Sequence, residues 1–270
     1  MTKGVWILIS LGKLKLHLGV IILFIFAVSM GYFIEIMAVF AAVTLHETAH
    51  VAAAYICGGE IEEFYITPIG EIAKIKNFWS FSQYERIFIL LCGPLTNIII
   101  GIIVHMFQGN MMLLFSHINI VFAIFNIIPV IPLDGGNIVY SIMGRNLGVV
   151  RTAKFMTNVE GIFGLILMIV GVIQVILYPF NISLMVIGGY FFFSRRREYL
   201  ERISDFYITV IDKDRDYDLR PMNIKRIFYR GDYRSIVRYF NYDDYFFVVY
   251  KNKRGHIVEK SMEDIVKILT

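Results

Sequence analysis

The sequence predicts an α-helical integral membrane protein with six transmembrane helices and a small C-terminal cytoplasmic α+β domain. Three observations carry that prediction. Of the 270 residues, 57% are apolar and 18% charged, with a mean hydropathy of +0.64; an average soluble domain carries about 25% charged residues. The charges are also concentrated at one end: residues 1–200 hold 12 Lys/Arg and 10 Asp/Glu, whereas residues 201–270 hold 14 and 12. Finally, the first 200 residues contain successive charge-free runs near the roughly 20 residues that cross a bilayer. The expected division is a six-span domain over 1–200 and a water-soluble domain over 201–270. This composition excludes an ordinary cytosolic protein, a disordered chain and a fibrous repeat.

Leu16–Ile34 forms the first predicted span, and Ile36–Ile56 the second, uncharged except for one polar cluster. In the loop Gly58–Arg86, Ile61, Phe64, Ile66, Ile69, Ile72 and Ile75 recur among Glu60, Glu62, Glu63, Glu71, Lys74 and Lys76, with breaks at Gly58-Gly59 and Pro68. That pattern predicts short strands in a hairpin or a re-entrant loop. Ile87–Phe107 and Met111–Pro132 are two further spans, separated by Gln108-Gly109-Asn110. Gly161–Ser194 is 34 residues without a charge. As one helix it would measure about 50 Å, too long for a hydrocarbon core of about 30 Å. Pro179 and Asn181 predict a turn that divides it into two spans. In the tail, Met222–Phe240 has helical spacing, Tyr245–Tyr250 is rich in strand formers and Lys253-Arg254-Gly255 makes a turn. His256–Val258 is then a second strand and Met262–Leu269 a closing helix. With six spans and both termini in the cytoplasm, every Lys and Arg falls on the inner side, as the positive-inside rule requires.

The net charge of +4 divides evenly between the two parts, so nothing argues for direct nucleic-acid binding. Cys57 and Cys92 lie in or beside apolar runs and read as free thiols. No cleaved signal peptide is expected. His17, His105 and His117 read as interfacial residues, and His256 carries no argument.

The second span contains Thr44-Leu45-His46-Glu47-Thr48-Ala49-His50. A carboxylate near mid-membrane costs about 2.5–3.5 kcal/mol even on lenient insertion scales, so a partner or a chemical role must offset it. Residues four apart on a helix share a face, which sets both imidazoles where one metal ion can bridge them. Zinc takes neutral imidazole nitrogens and leaves a position for water, and Glu47 beside the first ligand is placed to accept that water's proton. This is the H-E-x-x-H arrangement of zinc metalloproteases.

Two imidazoles leave the site incomplete. The fourth span ends Asn126-Ile127-Ile128-Pro129-Val130-Ile131-Pro132-Leu133-Asp134-Gly135-Gly136, and Asp134 is the sole acid between Glu85 and Glu160. Two prolines stop the helix and two glycines free the backbone, so Asp134 is expected on an unwound segment able to turn inward as third ligand. Asn126, Pro129 and Pro132 are expected to contact a bound peptide. The second and fourth spans both descend toward the cytoplasm, so the two halves of the site reach a similar depth.

These two motifs resemble those of the site-2 protease family of intramembrane zinc metalloproteases over about residues 1–200. His46, His50 and Asp134 match its zinc ligands and Glu47 its general base. Six spans with a cytoplasmic tail and no PDZ insertion is similar to the sporulation branch of that family, which carries a C-terminal CBS domain. The resemblance implies Zn²⁺ as cofactor, a membrane-associated substrate such as a pro-sigma factor, and restraint by inhibitory membrane proteins. It also implies ATP at the CBS-like tail, where no Asp following a Thr or Ser stands in the expected ribose-binding place, and pairing of chains into a homo-oligomer through that tail. The competing reading is a zinc-binding transporter or channel subunit gated by the tail. It predicts polar groups along a transmembrane path and internal repeat symmetry, neither of which the sequence displays.

Overall fold

The computed structural model describes residues 7–67, 70–107, 109–178, 181–212, 223–229, 233–251 and 256–269. The chain divides into two compact units, residues 1–78 with 84–128, and 79–83 with 129–270.

In the first unit, strands β1 (Ile7–Leu11) and β2 (Leu14–His17) precede helix α1 (Leu18–Ser29) and helix α2 (Phe33–Ile56). Strands β3 (Ile61–Thr67) and β4 (Gly70–Ile75) follow, then α3 (Gln83–His105) and α4 (Asn110–Ile127). The strands form one sheet in the order β1-β2-β3-β4, with β2 and β3 parallel and the two outer pairs antiparallel. The hairpin expected between Gly58 and Arg86 is thus β3–β4; Pro68 and Ile69 lie outside the described residues. Register is pinned by charge across the strands: Lys15 of β2 bonds Glu63 of β3, and Lys74 of β4 meets Glu62 at 2.9 Å.

The first predicted span is corrected. Leu16 and His17 belong to β2, and α1 has only 12 residues, about 18 Å at helical rise. His17 caps it, its Nδ1 accepting from the Gly19 amide at 3.0 Å, and Gly31 at φ +83° closes the turn into α2. An N-terminal strand claimed the residues that hydropathy alone assigns to a helix. Among the described residues, four helices are long and apolar enough to cross a membrane: α2, α3, α4 and, in the second unit, α6 (Val149–Leu177). Their outer faces present Ile99 and Ile102, Val121 and Ile124, and Ile166 and Ile173, each more than half exposed. Apolar surface on that scale belongs against lipid, and the chain has the build of an integral membrane protein.

The second unit holds α5 (Asp134–Leu147), α6, α7 (Ser183–Asp212) and the tail. The uninterrupted apolar stretch does break as expected: α6 ends at Leu177 and α7 begins at Ser183. The two pack as an antiparallel pair at glycines, where a Cβ on Gly164 would lie 2.8 Å from the Gly188 carbonyl oxygen. α7 continues well past Ser194, and its Phe206 and Val210 enter the tail's core.

The tail runs β5 (Asn223–Tyr229), a 3₁₀ turn (Tyr233–Tyr239), β6 (Asp244–Lys251), β7 (Ile257–Ser261) and α8 (Met262–Leu269). β5 is parallel to β6 and β7 antiparallel to it. Two strands and the closing helix match expectation, while the turn at 253–255 lies outside the described residues. The helix expected over Met222–Phe240 is corrected to a strand followed by a 3₁₀ turn. The alternation Ile224-Lys225-Arg226-Ile227-Phe228-Tyr229 also satisfies helical spacing. Seven paired positions along β6 decide it, because β-branched and aromatic residues pack well on a pleated surface.

The tail is fastened to α5 and α6 by hydrogen bonds to their main chain. The Val149 amide donates to the Phe240 carbonyl at 2.9 Å, and Asn241 Nδ2 donates to the Arg145 carbonyl at 3.0 Å. Between them Gly148 adopts φ +85°, and a Cβ there would lie 2.1 Å from the Arg238 carbonyl oxygen. Gly148→Ala is therefore expected to cost on the order of 2 kcal/mol or more. The expected readout is a lower Tm in detergent and faster protease clipping of the tail.

Candidate metal centre

His46 and His50 lie one turn apart on α2 and are both buried, at 2% and 7% exposure. Their Nε2 atoms are 3.0 Å apart. One ligand atom from each of His46, Glu47 and His50 lies within 4.8 Å of the other two. The ring orientation of His50 has a cause. Its Nδ1 stands 2.7 Å from the Ile89 carbonyl of α3, and a carbonyl only accepts, so the proton sits on Nδ1 and the Nε2 lone pair faces inward. A carbonyl behind a ligating imidazole also raises its basicity. His46 packs edge-on against Phe122 of α4, ring centroids 5.0 Å apart.

Helix α3 comes this close because it is small where it meets α2. A Cβ on Gly93 would lie 2.3 Å from His50 Nε2 and 2.8 Å from His46 Cε1. Pro94, the next residue, supplies no amide to the helix ladder. One turn further, buried Asn97 donates from Nδ2 to the Ala42 carbonyl at 3.2 Å, tying α3 to the turn of α2 that precedes His46.

Strand β4 supports the other side of α2. The Ala73 amide donates to Glu47 Oε2 at 3.2 Å, and Thr44 Oγ1 hydrogen-bonds Glu71 Oε1 at 2.7 Å. Glu71 is buried, which pushes its carboxyl above the ordinary range, while the Thr44 hydroxyl pulls it back. The hairpin thus holds the acid between the two histidines by a backbone amide.

This donor set fits zinc. Two nitrogens at about 2.0–2.1 Å from a tetrahedral ion stand about 3.4 Å apart, close to the 3.0 Å found, and Gly93 approaches both rings so closely that a methyl group would overlap them. Gly93→Ala is expected to lower retained zinc at least ten-fold, on the scale of changes behind a ligand. Metal analysis of the purified protein checks it; full zinc occupancy would mean that α3 does not shape the site.

The other residues singled out by sequence belong to their own surroundings. Asp134 is in the second unit, where the structure makes it the first residue of α5 rather than part of an unwound stretch; the non-helical segment ends at Leu133. Asn126 is buried near the end of α4, with Nδ2 donating to Phe122 O at 3.1 Å. Pro129 is exposed, and half-buried Pro132 offers its carbonyl to Asn137 Nδ2 at 3.2 Å. Cys57 and Cys92 are free thiols. His105 and His117 face each other at 6.4 Å between ring centroids. Gly93, Asn97, Glu71 and the Ala73 amide carry no signal in the sequence as parts of the site, because each matters through a contact distant along the chain.

Known proteins resemble this chain in both sequence and fold. It is 28% identical over 168 residues to zinc metalloprotease MJ0392 of Methanocaldococcus jannaschii, covering 59% of this chain and 47% of that protein. It is 22% identical over 197 residues to stage IV sporulation protein FB of Bacillus subtilis, covering 70% and 67%. The chain thus spans about half the length of the first of these relatives. The structure of a site-2 protease from Methanocaldococcus jannaschii has a similar fold, with a TM-score of 0.58 at 24% identity over 72% of this chain and 94% of that one. Residues 34–113 and 108–170, together about half of the sequence, match peptidase family M50. The chain belongs to peptidase family M50, the family that its two motifs resemble.

Proposed function

We propose that the protein is an intramembrane zinc metalloprotease of the site-2 type that cleaves a membrane-associated precursor near the cytoplasmic side of the bilayer. The observation that carries this reading is the pair of buried imidazoles with Glu47 between them, on a helix otherwise apolar enough to cross a membrane. His46 and His50 would hold the ion by Nε2, and Asp134 would complete the ligand set, as its place in the second motif suggests. Zinc, when bound, supplies a Lewis acid for the scissile carbonyl and brings the pKa of water toward neutrality. Glu47 takes the proton of the attacking water and returns it to the leaving amine nitrogen. A helical substrate must unwind first, since an intact helix keeps its carbonyls in its own hydrogen bonds. The β3–β4 hairpin offers an edge on which the extended segment can lie, and Asn126, Pro129 and Pro132 are the residues proposed to contact it.

The topology proposed is six crossings with both termini in the cytoplasm, α1 and the apolar half of α7 completing the four longer helices. The substrate proposed is a pro-sigma factor processed in sporulation, on the resemblance to the sporulation branch, with inhibitory membrane proteins as its restraint. Nothing among the tail's described residues adds to that resemblance as a ground for ATP.

Cleavage and zinc content of the full chain separate the roles. Glu47→Gln is expected to keep zinc and lose about 10²–10⁴-fold in rate, the range for a positioned acid–base group. Asp134→Asn is expected to lose both. Normal cleavage by Glu47→Gln would remove Glu47 as the base and with it this mechanism.

The tail's order of strand, 3₁₀ turn, two strands and helix supports a CBS-like unit that pairs with a second copy. One face of its sheet carries Ile224, Phe228, Phe247, Val249 and Ile257, of which Ile224, Phe228 and Ile257 are 66%, 80% and 72% exposed. The opposite face buries Phe246 and Val248 in the unit's own core. Phe228→Asp is expected to halve the particle mass in detergent with the fold intact; an unchanged mass would exclude this face as the contact.

A further inference from the structure

Arg202 of α7 is 9% exposed, and a guanidinium is seldom buried without a counter-charge in direct contact. Glu198 and Asp205 sit one turn away on the same helix, yet among the described residues the hydrogen bond of Arg202 goes to a neutral amide: Nη2 donates to Asn137 Oδ1 at 2.8 Å. Its cation is sheltered by aromatic faces, 4.8 Å from the Tyr140 ring centroid and 5.9 Å from that of Trp79.

Asn137 is engaged at both ends of its amide. Oδ1 accepts from Arg202, and Nδ2 donates to the Pro132 carbonyl at 3.2 Å. A guanidinium has no acceptor and a carbonyl no donor, so this amide cannot flip. Pro132 and Asn137 bracket Leu133, Asp134, Gly135 and Gly136, the turn in which α5 begins. The rest of that turn is equally tight. Leu133 N donates to Val130 O at 2.9 Å and Asn137 N to Leu133 O at 3.0 Å, while Gly136 lies so close to Val130 that a Cβ would come within 2.3 Å of its carbonyl carbon. One turn beyond Arg202 on α7, Phe206 is fully buried in the tail's core.

We propose that Arg202 is a positioning residue for Asp134: through Asn137 it fixes the first turn of α5, from which that carboxylate projects. This rests on the reading of Asp134 as the third zinc ligand. Arg202 touches neither metal nor substrate; it restricts the backbone from which the ligand projects.

The test is zinc affinity of the full chain in detergent, measured by chelator competition beside the Tm. Arg202→Met keeps the length and removes the donor, and it should weaken zinc on the order of ten-fold, the low end for residues behind a ligand. Arg202→Lys should recover most of that, since one donor suffices for Oδ1. Asn137→Ala should match Arg202→Met, and the double variant should bind no more weakly than either, because the two act as one unit. Phe206→Leu is the structural control, expected to lower the Tm and leave zinc affinity unchanged. Should Arg202→Met fail to fold, Asn137→Ala carries the test alone. Wild-type affinity in Asn137→Ala, or an equal loss in Phe206→Leu, overturns the proposal. Asp134→Asn separates the two readings. If it weakens zinc while Arg202→Met and Asn137→Ala do not, only the brace fails; if it leaves zinc unchanged, the ligand assignment fails and the brace with it.

Discussion

The structure turns on the hydrogen bond between His50 Nδ1 and the Ile89 carbonyl. Inside a helix that faces lipid, a neutral imidazole with an unsatisfied nitrogen is costly. Giving Nδ1 to a carbonyl settles that cost and the chemistry together, because it fixes the tautomer and turns Nε2 toward His46. The bond exists only if α3 comes close, and α3 comes close only if position 93 lacks a Cβ. Asn97 holds the same helix pair one turn away. A local demand of solvation thereby determines which residues the neighbouring helix can carry.

The sheet plays the matching part for the acid. The Glu47 carboxylate is met by a main-chain amide of β4. A backbone donor does not wander between rotamers, so it orients the carboxylate at little entropic cost. Glu71, on the same strand, joins the hairpin to the helix at Thr44. A strand pair in a chain dominated by apolar helices therefore seats the side chain proposed as the general base, and the ion pairs Lys15–Glu63 and Lys74–Glu62 keep its register.

Within the second unit, the tail is joined to both α5 and α7. α7 does not stop where its apolar half ends; it carries Arg202 against the start of α5 and Phe206 into the tail core. The far end of α5 is fastened to the tail through Arg145, Gly148 and Val149. One helix bearing a candidate ligand is thus held at both ends by the same module. The division expected at residue 200 passes through the middle of α7, and the helix is where the two parts share a core.

Much of the centre was legible because spacing on a helix is a local property. His46, Glu47 and His50 converge whatever surrounds them, since four residues make about one turn. The apolar runs of α2, α3, α4 and α6, the break near Pro179 and the closing helix Met262–Leu269 were likewise set by composition over short windows. The strand at Leu14–His17 and the strand at Asn223–Tyr229 were not, because apolar residues there fit both periods and only a partner strand chooses between them. Gly93, Asn97, Arg202 and the Ala73 amide carry no mark in the sequence. The sequence alone determined which groups can bind a metal and that they must do so among apolar helices. The tertiary structure alone decided which nitrogen faces inward, what holds the acid and what braces the turn at Asp134, because each of those is a contact between segments that the order of residues does not place together.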